Sequence, residues 1–143
     1  VNTFVTVLDR EDIEALNSAL YKIPKIVEKF AERYTLAAPR VSDVDFSSRA
    51  AMLEQASRVV EQMVGQLRQG MDLEKIKKLN DELQIIEGEA DRQILELYRD
   101  AYTNETDPIR YLVKKDLFEI LEKAIDRCRD AGNVIYYIVL KNS

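Results

Sequence analysis

The chain of 143 residues has 46% hydrophobic and 33% charged side chains with only four glycines and three prolines, which predicts one helix-rich domain over residues 1–143. Its net charge of −5, without a basic stripe, argues against nucleic acid as a partner, because proteins that bind nucleic acid usually carry a basic face. The absence of histidine excludes histidine triads and the Glu-x-x-His sites of di-iron bundles.

The first predicted helix runs from about residue 10 to residue 35. Residues 1–8 are rich in β-branched side chains and are expected to be extended, and Asp9 is placed to cap the helix that follows. Pro24 should bend this helix, but we expect one helix because the apolar pattern continues across the proline. The apolar positions with helical spacing are Ile13, Leu16, Leu20, Ile23, Val27 and Phe30.

Two further helices follow a predicted linker at residues 35–42. The second helix begins between Asp43 and Ser48, where capping residues are frequent, and ends at Gly70. The third helix begins after Asp72, which should cap it. The apolar positions are Ala50, Leu53, Ala56, Val60, Val64 and Leu67 in the second helix, and Ile76, Leu79, Leu83, Ile86, Ala90, Ile94, Leu97 and Ala101 in the third.

A fourth helix begins after the polar segment at residues 103–107. Asp107 should cap it, Pro108 takes the first helical position, and the apolar pattern continues to near Lys141. Residues 134–140 are apolar on nearly every side, which predicts a covering helix from another subunit or from upstream sequence. This run is too short to span a bilayer. Four long helices with short connections predict an all-α fold, an antiparallel bundle.

Carboxylates recur at spacings of four residues on the third and fourth predicted helices. That spacing stacks side chains on one stripe of a helix, and here each stripe borders the apolar face. Oxygen ligands from two adjacent helices suit magnesium, calcium, manganese or iron better than zinc. The sequence therefore predicts a candidate metal site formed by Glu87, Asp91, Glu122, Asp126 and Asp130.

The same acids also fit a solvated acidic flank paired with neighbouring basic side chains, namely Arg92, Lys123, Arg127 and Arg129. Spacing alone leaves both interpretations open and favours the flank, because acidic pairs four residues apart are common on helices. Cys128 lies on the apolar stripe, so we predict a core residue rather than a nucleophile. A single cysteine fits a reducing cytoplasm, and without histidine or a visible nucleophile no enzyme activity is expected.

Three motifs in this order carry a family resemblance. Residues 6–13, T-V-L-D-R-E-D-I, resemble the T-P-F-D-R-E-D-I signature of the PhoU-like phosphate transport regulators. Residues 87–91, E-G-E-A-D, and residues 121–128, L-E-K-A-I-D-R-C, look like the two E-x-x-x-D helices of that family's second repeat. The resemblance covers nearly the whole chain.

The resemblance implies a bundle built from two three-helix repeats, of which this chain holds the last helix of the first repeat and the complete second repeat. The first two helices of the family are then absent. In PhoU proteins the E/D-x-x-x-D motifs can bind iron or other metal clusters. The family's first-repeat motif is similar to A-L-D-D-I-V-D, whereas residues 19–25 read A-L-Y-K-I-P-K, so no metal site is expected on that half.

Members of this family are often encoded beside low-affinity phosphate permeases. The resemblance therefore implies a non-enzymatic regulator of phosphate transport that contacts a permease or its signalling partners. We also expect a cytoplasmic protein, peripheral to the membrane at most, and a homo-oligomer. The alternative functions are a carboxylate protein that holds iron or another hard cation, and a structural scaffold that has lost metal binding.

Overall fold

Four α-helices make up the described part of the chain, residues 8–143 of a computed structural model. We number them in chain order: α1 is Arg10–Ala37, α2 is Ser47–Arg68, α3 is Leu73–Asn104 and α4 is Pro108–Lys141. A 3₁₀ turn, Ala38–Arg40, follows α1, and residues 8–143 contain no strand. The predicted all-α class is confirmed. The predicted extended segment at residues 1–8 lies, except for Leu8, outside the described residues.

The three predicted aspartate caps are confirmed. The side chain of Asp9 accepts a hydrogen bond from the backbone N–H of Asp12, which satisfies one of the donors that a helix start leaves open. Asp72 and Asp107 do the same at α3 and α4, each accepting from two backbone N–H groups. These caps are local in sequence, which is why the starts of these helices could be predicted.

Two helices extend further than predicted. The α1 helix includes Thr35, whose hydroxyl donates to the carbonyl oxygen of Ala31 at 2.8 Å. The α3 helix includes Thr103, whose hydroxyl donates to the carbonyl oxygen of Arg99 at 2.9 Å. A threonine hydroxyl that bonds back to the preceding turn is compatible with helix, so these polar residues do not break it.

The α4 helix lies at the centre of the bundle and contacts each of the other three helices. It runs antiparallel to α1, where Arg33 pairs with Asp116, and antiparallel to α3, where the Asn80 side-chain amide donates to that of Asn133 at 3.3 Å. The α2 helix also packs against α3. The predicted antiparallel bundle is therefore confirmed, with α2, α3 and α4 as a three-helix core and α1 against α4.

The apolar run at residues 134–140 is covered by helices of the same chain. Ile135, Ile138 and Val139 are completely or almost completely buried, because α4 has helices on three sides. The predicted covering helix from elsewhere is not needed for these three residues, and only Tyr137 and Leu140 of the run remain exposed. None of the helices within residues 8–143 combines the length and the apolar content that crossing a membrane requires.

The signature at residues 9–12 joins the start of α1 to the end of α4. Asp12 is buried with 6% exposure, and its carboxylate accepts a hydrogen bond from the Lys141 ammonium at 2.8 Å. The same ammonium lies 3.4 Å from the Asp9 carboxylate. The pKa of Asp9 is below its usual range, mainly because the carboxylate accepts the hydrogen bond from the backbone N–H of Asp12 and also because of Lys141. In this motif Asp9 thus caps α1, and Asp12 binds Lys141 at the end of α4.

Candidate metal centre

The candidate acids lie along the seam where α3 and α4 pack against each other. On α3, Ile86 and Ala90 are buried, and on α4, Leu121 and Ile125 are buried. The residue that follows each of these lies about 100° further round its helix, which places it at the border between core and solvent. Those four following residues are Glu87, Asp91, Glu122 and Asp126.

Three of the five predicted ligands converge. One carboxylate oxygen from each of Glu87, Asp91 and Asp126 lies within 4.8 Å of the other two. Oxygen ligands about 2.0–2.6 Å from one magnesium or calcium ion lie at most roughly 4–5 Å from one another, so the three oxygens could share such an ion. The donor set contains only oxygen, which suits a hard cation.

A buried oxygen without a partner supports this fit. The Oδ1 atom of Asp126 is shielded from solvent and accepts no hydrogen bond within the described residues. The nearest cation is the Arg129 guanidinium, 3.7 Å from that oxygen and 3.5 Å from Glu87. Arg129 therefore neutralises part of the charge of this cluster without satisfying Asp126, and the residues present fit a bound cation.

The remaining two predicted ligands have other neighbours. Asp130 binds two guanidinium groups, those of Arg127 and Arg129, each at 3.0 Å, and stands outside the converging triad. Glu122 lies beside Asp91 but is also outside the triad. The solvated-flank interpretation thus describes Asp130, whereas the convergence of Glu87, Asp91 and Asp126 agrees with the metal interpretation.

Crowding of carboxylates at a half-buried seam raises their proton affinity. Burial, a hydrogen bond with Asp91 and the charge of Asp126 raise the pKa of Glu122 from 4.5 to about 7. A hydrogen bond with Asp91, followed by burial, raises the pKa of Glu87. Burial also raises the pKa of Asp126, and Arg129 opposes that shift. Near neutral pH Glu122, beside the triad, is therefore partly protonated.

Sequence reasoning missed one neighbour of the cluster, Arg49 on α2. Arg49 and Glu122 line the same small cavity of about 10 Å³. The Arg49 Nε atom is buried without a hydrogen-bond partner, and its guanidinium lies 5.6 Å from the ring centroid of Phe118. No sequence signal links Arg49 to residues on α4, because only the packing of α2 against α4 brings them together.

The corresponding positions of α1 form no site. An internal alignment sets Asn17, Tyr21 and Lys25 on the three acids of α4, and all three are exposed in the structure. Among residues 8–143, the triad on α3 and α4 is the one group of potential metal ligands that converges.

The raised pKa of Glu122 predicts how stability depends on pH. Because the folded value is about 7 and the unfolded value 4.5, the native state holds more protons between these values, so stability falls as pH rises through this range. After allowance for solvent screening we expect a loss of about 1 kcal/mol. Urea unfolding at about pH 5 and pH 8 with chelator present should show a smaller loss for Glu122→Gln than for wild type.

Glu61, exposed on α2 and distant in sequence from the cluster, provides the control for this measurement, because Glu61→Gln should leave the pH dependence as in wild type. Equal pH dependence of Glu122→Gln and wild type would contradict the assignment to Glu122.

Comparison with known proteins finds relatives along nearly the whole chain. The chain is 23% identical over 140 residues to "UPF0111 protein YkaA" of Bacillus subtilis, covering 98% of this chain and 68% of the relative. It is also 23% identical over 143 residues to the "Putative pit accessory protein" of Rhizobium meliloti, covering 98% of this chain and 67% of the relative. No family model and no solved structure matches the chain. The second name supports the predicted resemblance at the level of a transport accessory protein, and neither name refers to PhoU.

Proposed function

We propose that this chain is a non-enzymatic accessory protein of a phosphate transporter and acts by protein–protein contact. The observation that carries the proposal is the similarity over 98% of the chain to a protein named for a pit accessory role. Pit denotes a low-affinity phosphate transporter, which is also the partner that the sequence resemblance implies. The proposal includes a PhoU-like character, a cytoplasmic location and regulation of the transporter by this chain.

The chemistry of the chain supports a role without catalysis. The sequence contains no histidine, and its single cysteine, Cys128, is buried against Ser57. Burial raises the pKa of the Cys128 thiol, which lowers the amount of reactive thiolate.

Uptake of radiolabelled phosphate tests the transport role. In cells that depend on the low-affinity permease of the source organism, deletion of the gene for this chain should change the initial uptake rate at least about twofold. Expression of the wild-type chain should restore the rate, and the chain should copurify with the permease in detergent. Unchanged uptake together with no copurification would contradict the proposal.

We propose as a second candidate function that the seam between α3 and α4 holds iron or another hard cation. The observation that favours it is the convergence of Glu87, Asp91 and Asp126 within 4.8 Å. These three carboxylates would hold the ion, and the unsatisfied Oδ1 atom of Asp126 would gain a partner. The ion would supply positive charge between carboxylates of α3 and α4 and so would strengthen the contact of the two helices.

Elemental analysis tests this second function. Protein purified without chelator should carry about one hard cation per chain, and Asp91→Asn with Asp126→Asn should remove it. The matched control is Asp130→Asn, which should retain the metal because Asp130 binds Arg127 and Arg129 instead. Wild-type protein that binds no metal when supplied with iron, manganese, magnesium or calcium would exclude the site.

Metal binding to the wild-type chain should also depend on pH. Glu122 lies beside the triad and has a pKa of about 7, so it carries more negative charge at pH 8 than at pH 6, and affinity for the metal that the wild-type chain retains should rise by up to about tenfold over this range. An affinity that does not change with pH would show that ionisation of Glu122 is not linked to metal binding.

A further inference from the structure

The outer face of α3 carries apolar side chains that no other helix covers. Ile85, Leu95 and Tyr102 are 70%, 61% and 78% exposed. Gly88 lies among them, and a Cβ atom there would meet only the end of the Arg92 side chain, at 4.0 Å. Apolar and small residues that recur after three and four positions are typical of a helix that packs along another helix. We name Ile85, Gly88, Arg92, Leu95, Arg99 and Tyr102 the outer stripe.

Charges accompany the outer stripe with the same period of seven residues. Arg92 and Arg99 lie within the stripe, and the acids at one flank are also seven residues apart: Glu82, Glu89 and Glu96. Within the chain, Arg92 pairs with Glu89 one turn earlier. The acids lie along one edge of the stripe and the arginines along its centre, so the arginines of one copy could pair with the acids of a second copy.

We propose that the outer stripe is an interface with a second copy of this chain, in which the two α3 helices pair antiparallel about a two-fold axis. In that arrangement Ile85 faces the second copy's Tyr102, and Leu95 lies beside the axis. Gly88 faces the second copy's Arg99, and the absence of a side chain at Gly88 leaves room for the guanidinium. A two-fold interface of this kind uses the same patch on both copies, so every contact occurs twice.

Charge complementarity selects both the partner and the direction. With the helices antiparallel, Arg92 lies opposite the second copy's Glu96, and Arg99 lies opposite the second copy's Glu89. With the helices parallel, each arginine would instead lie opposite its own equivalent, and like charges that face each other destabilise a helix pair. The stripe and its acidic flank thus match a second, inverted copy of themselves. This interface is independent of phosphate transport and of metal binding.

Sedimentation equilibrium of the purified chain tests the interface. From about 1 to 100 µM the chain should pass from monomer to dimer. Leu95→Arg should raise the dissociation constant at least about tenfold, because it places a guanidinium beside the axis, opposite the second copy's Arg92. The matched control is Leu112→Arg on α4, where the leucine is equally exposed but lies outside the stripe, and the dimer should persist.

Charge reversal distinguishes this interface from other dimers. Arg99→Glu should weaken the dimer about tenfold, and Arg99→Glu combined with Glu89→Arg should restore it. A chain that stays monomeric up to about 100 µM, a Leu95→Arg dimer as strong as wild type, or no recovery in the double reversal would each overturn the proposal.

Disulfide trapping tests the antiparallel direction. The chain with both Ile85→Cys and Tyr102→Cys should form a cross-linked dimer on mild oxidation, whereas each single variant should not, because the native thiol of Cys128 is buried. An equally efficient cross-link in Ile85→Cys alone would place equivalent residues together and would overturn the antiparallel arrangement.

Discussion

Replacing Ile135 with alanine is expected to lower the free energy of unfolding by about 2–5 kcal/mol. The side chain of Ile135 is 0% exposed and belongs to the core between α4 and its neighbours. Removing its outer carbons loses the favourable free energy of burying them. It also leaves a cavity that the three surrounding helices can fill only in part. Urea unfolding followed by helical circular dichroism measures the loss, since a two-state transition gives the free energy directly.

Ile109, on the same helix, provides the control because it is 54% exposed. Ile109→Ala should change the free energy of unfolding by less than about 0.5 kcal/mol. Equal losses at the two positions would contradict the central place of α4 in the bundle.

Replacing Gly132 with alanine is expected to destabilise the protein by about 1–3 kcal/mol, although alanine favours helix. A Cβ atom at Gly132 would lie 2.3 Å from the Leu83 Cδ1 atom and 2.9 Å from the Asn80 Oδ1 atom. Leu83 and Asn80 are themselves buried, so neither can move aside without disturbing the seam between α3 and α4. The melting temperature and urea midpoint should both fall, and a larger residue, as in Gly132→Val, should cost more.

Two other helical glycines make this prediction specific. At Gly65 nothing lies within 4 Å of an added Cβ atom, and at Gly88 only the flexible end of Arg92 does. In the monomer, at about 1 µM or below, Gly65→Ala and Gly88→Ala should therefore stabilise the protein by up to about 1 kcal/mol, because alanine restricts the unfolded chain. A gain at Gly132 similar to the gains at Gly65 and Gly88 would show that α3 and α4 do not approach closely there.

The sequence placed Gly88 and Gly132 alike, each in a helix beside a group of acids. In the structure Gly132 faces α3 at close range, whereas Gly88 lies on the outer stripe. Two glycines in similar local sequence thus have opposite expected responses to the same substitution. Which face of a helix meets another helix closely depends on how the helices cross, and that is a property of the pair.

For the acids of the candidate site, too, the sequence predicted one feature and the packing of the helices decided another. Spacing correctly indicated which acids share a stripe, because side chains four residues apart on a helix point in one direction. Spacing did not indicate that Asp126 would meet Glu87 and Asp91, while Asp130, one turn further on, would bind Arg127 and Arg129. The contact of Arg129 with Glu87 on the other helix and the position of Arg49 beside Glu122 were also absent from the sequence reasoning, because both cross between helices.

The sequence by itself determined the helices of this protein, since caps, apolar periodicity and a proline at the first turn act within a few residues of one another. Asp9, Asp72 and Asp107 begin three helices where the sequence predicted, and the apolar stripes predicted the core. Only the tertiary structure decided that α4 is central, which three acids converge, and which face of α3 stays uncovered. These features depend on the crossing and register of helices distant in sequence, which no local pattern encodes.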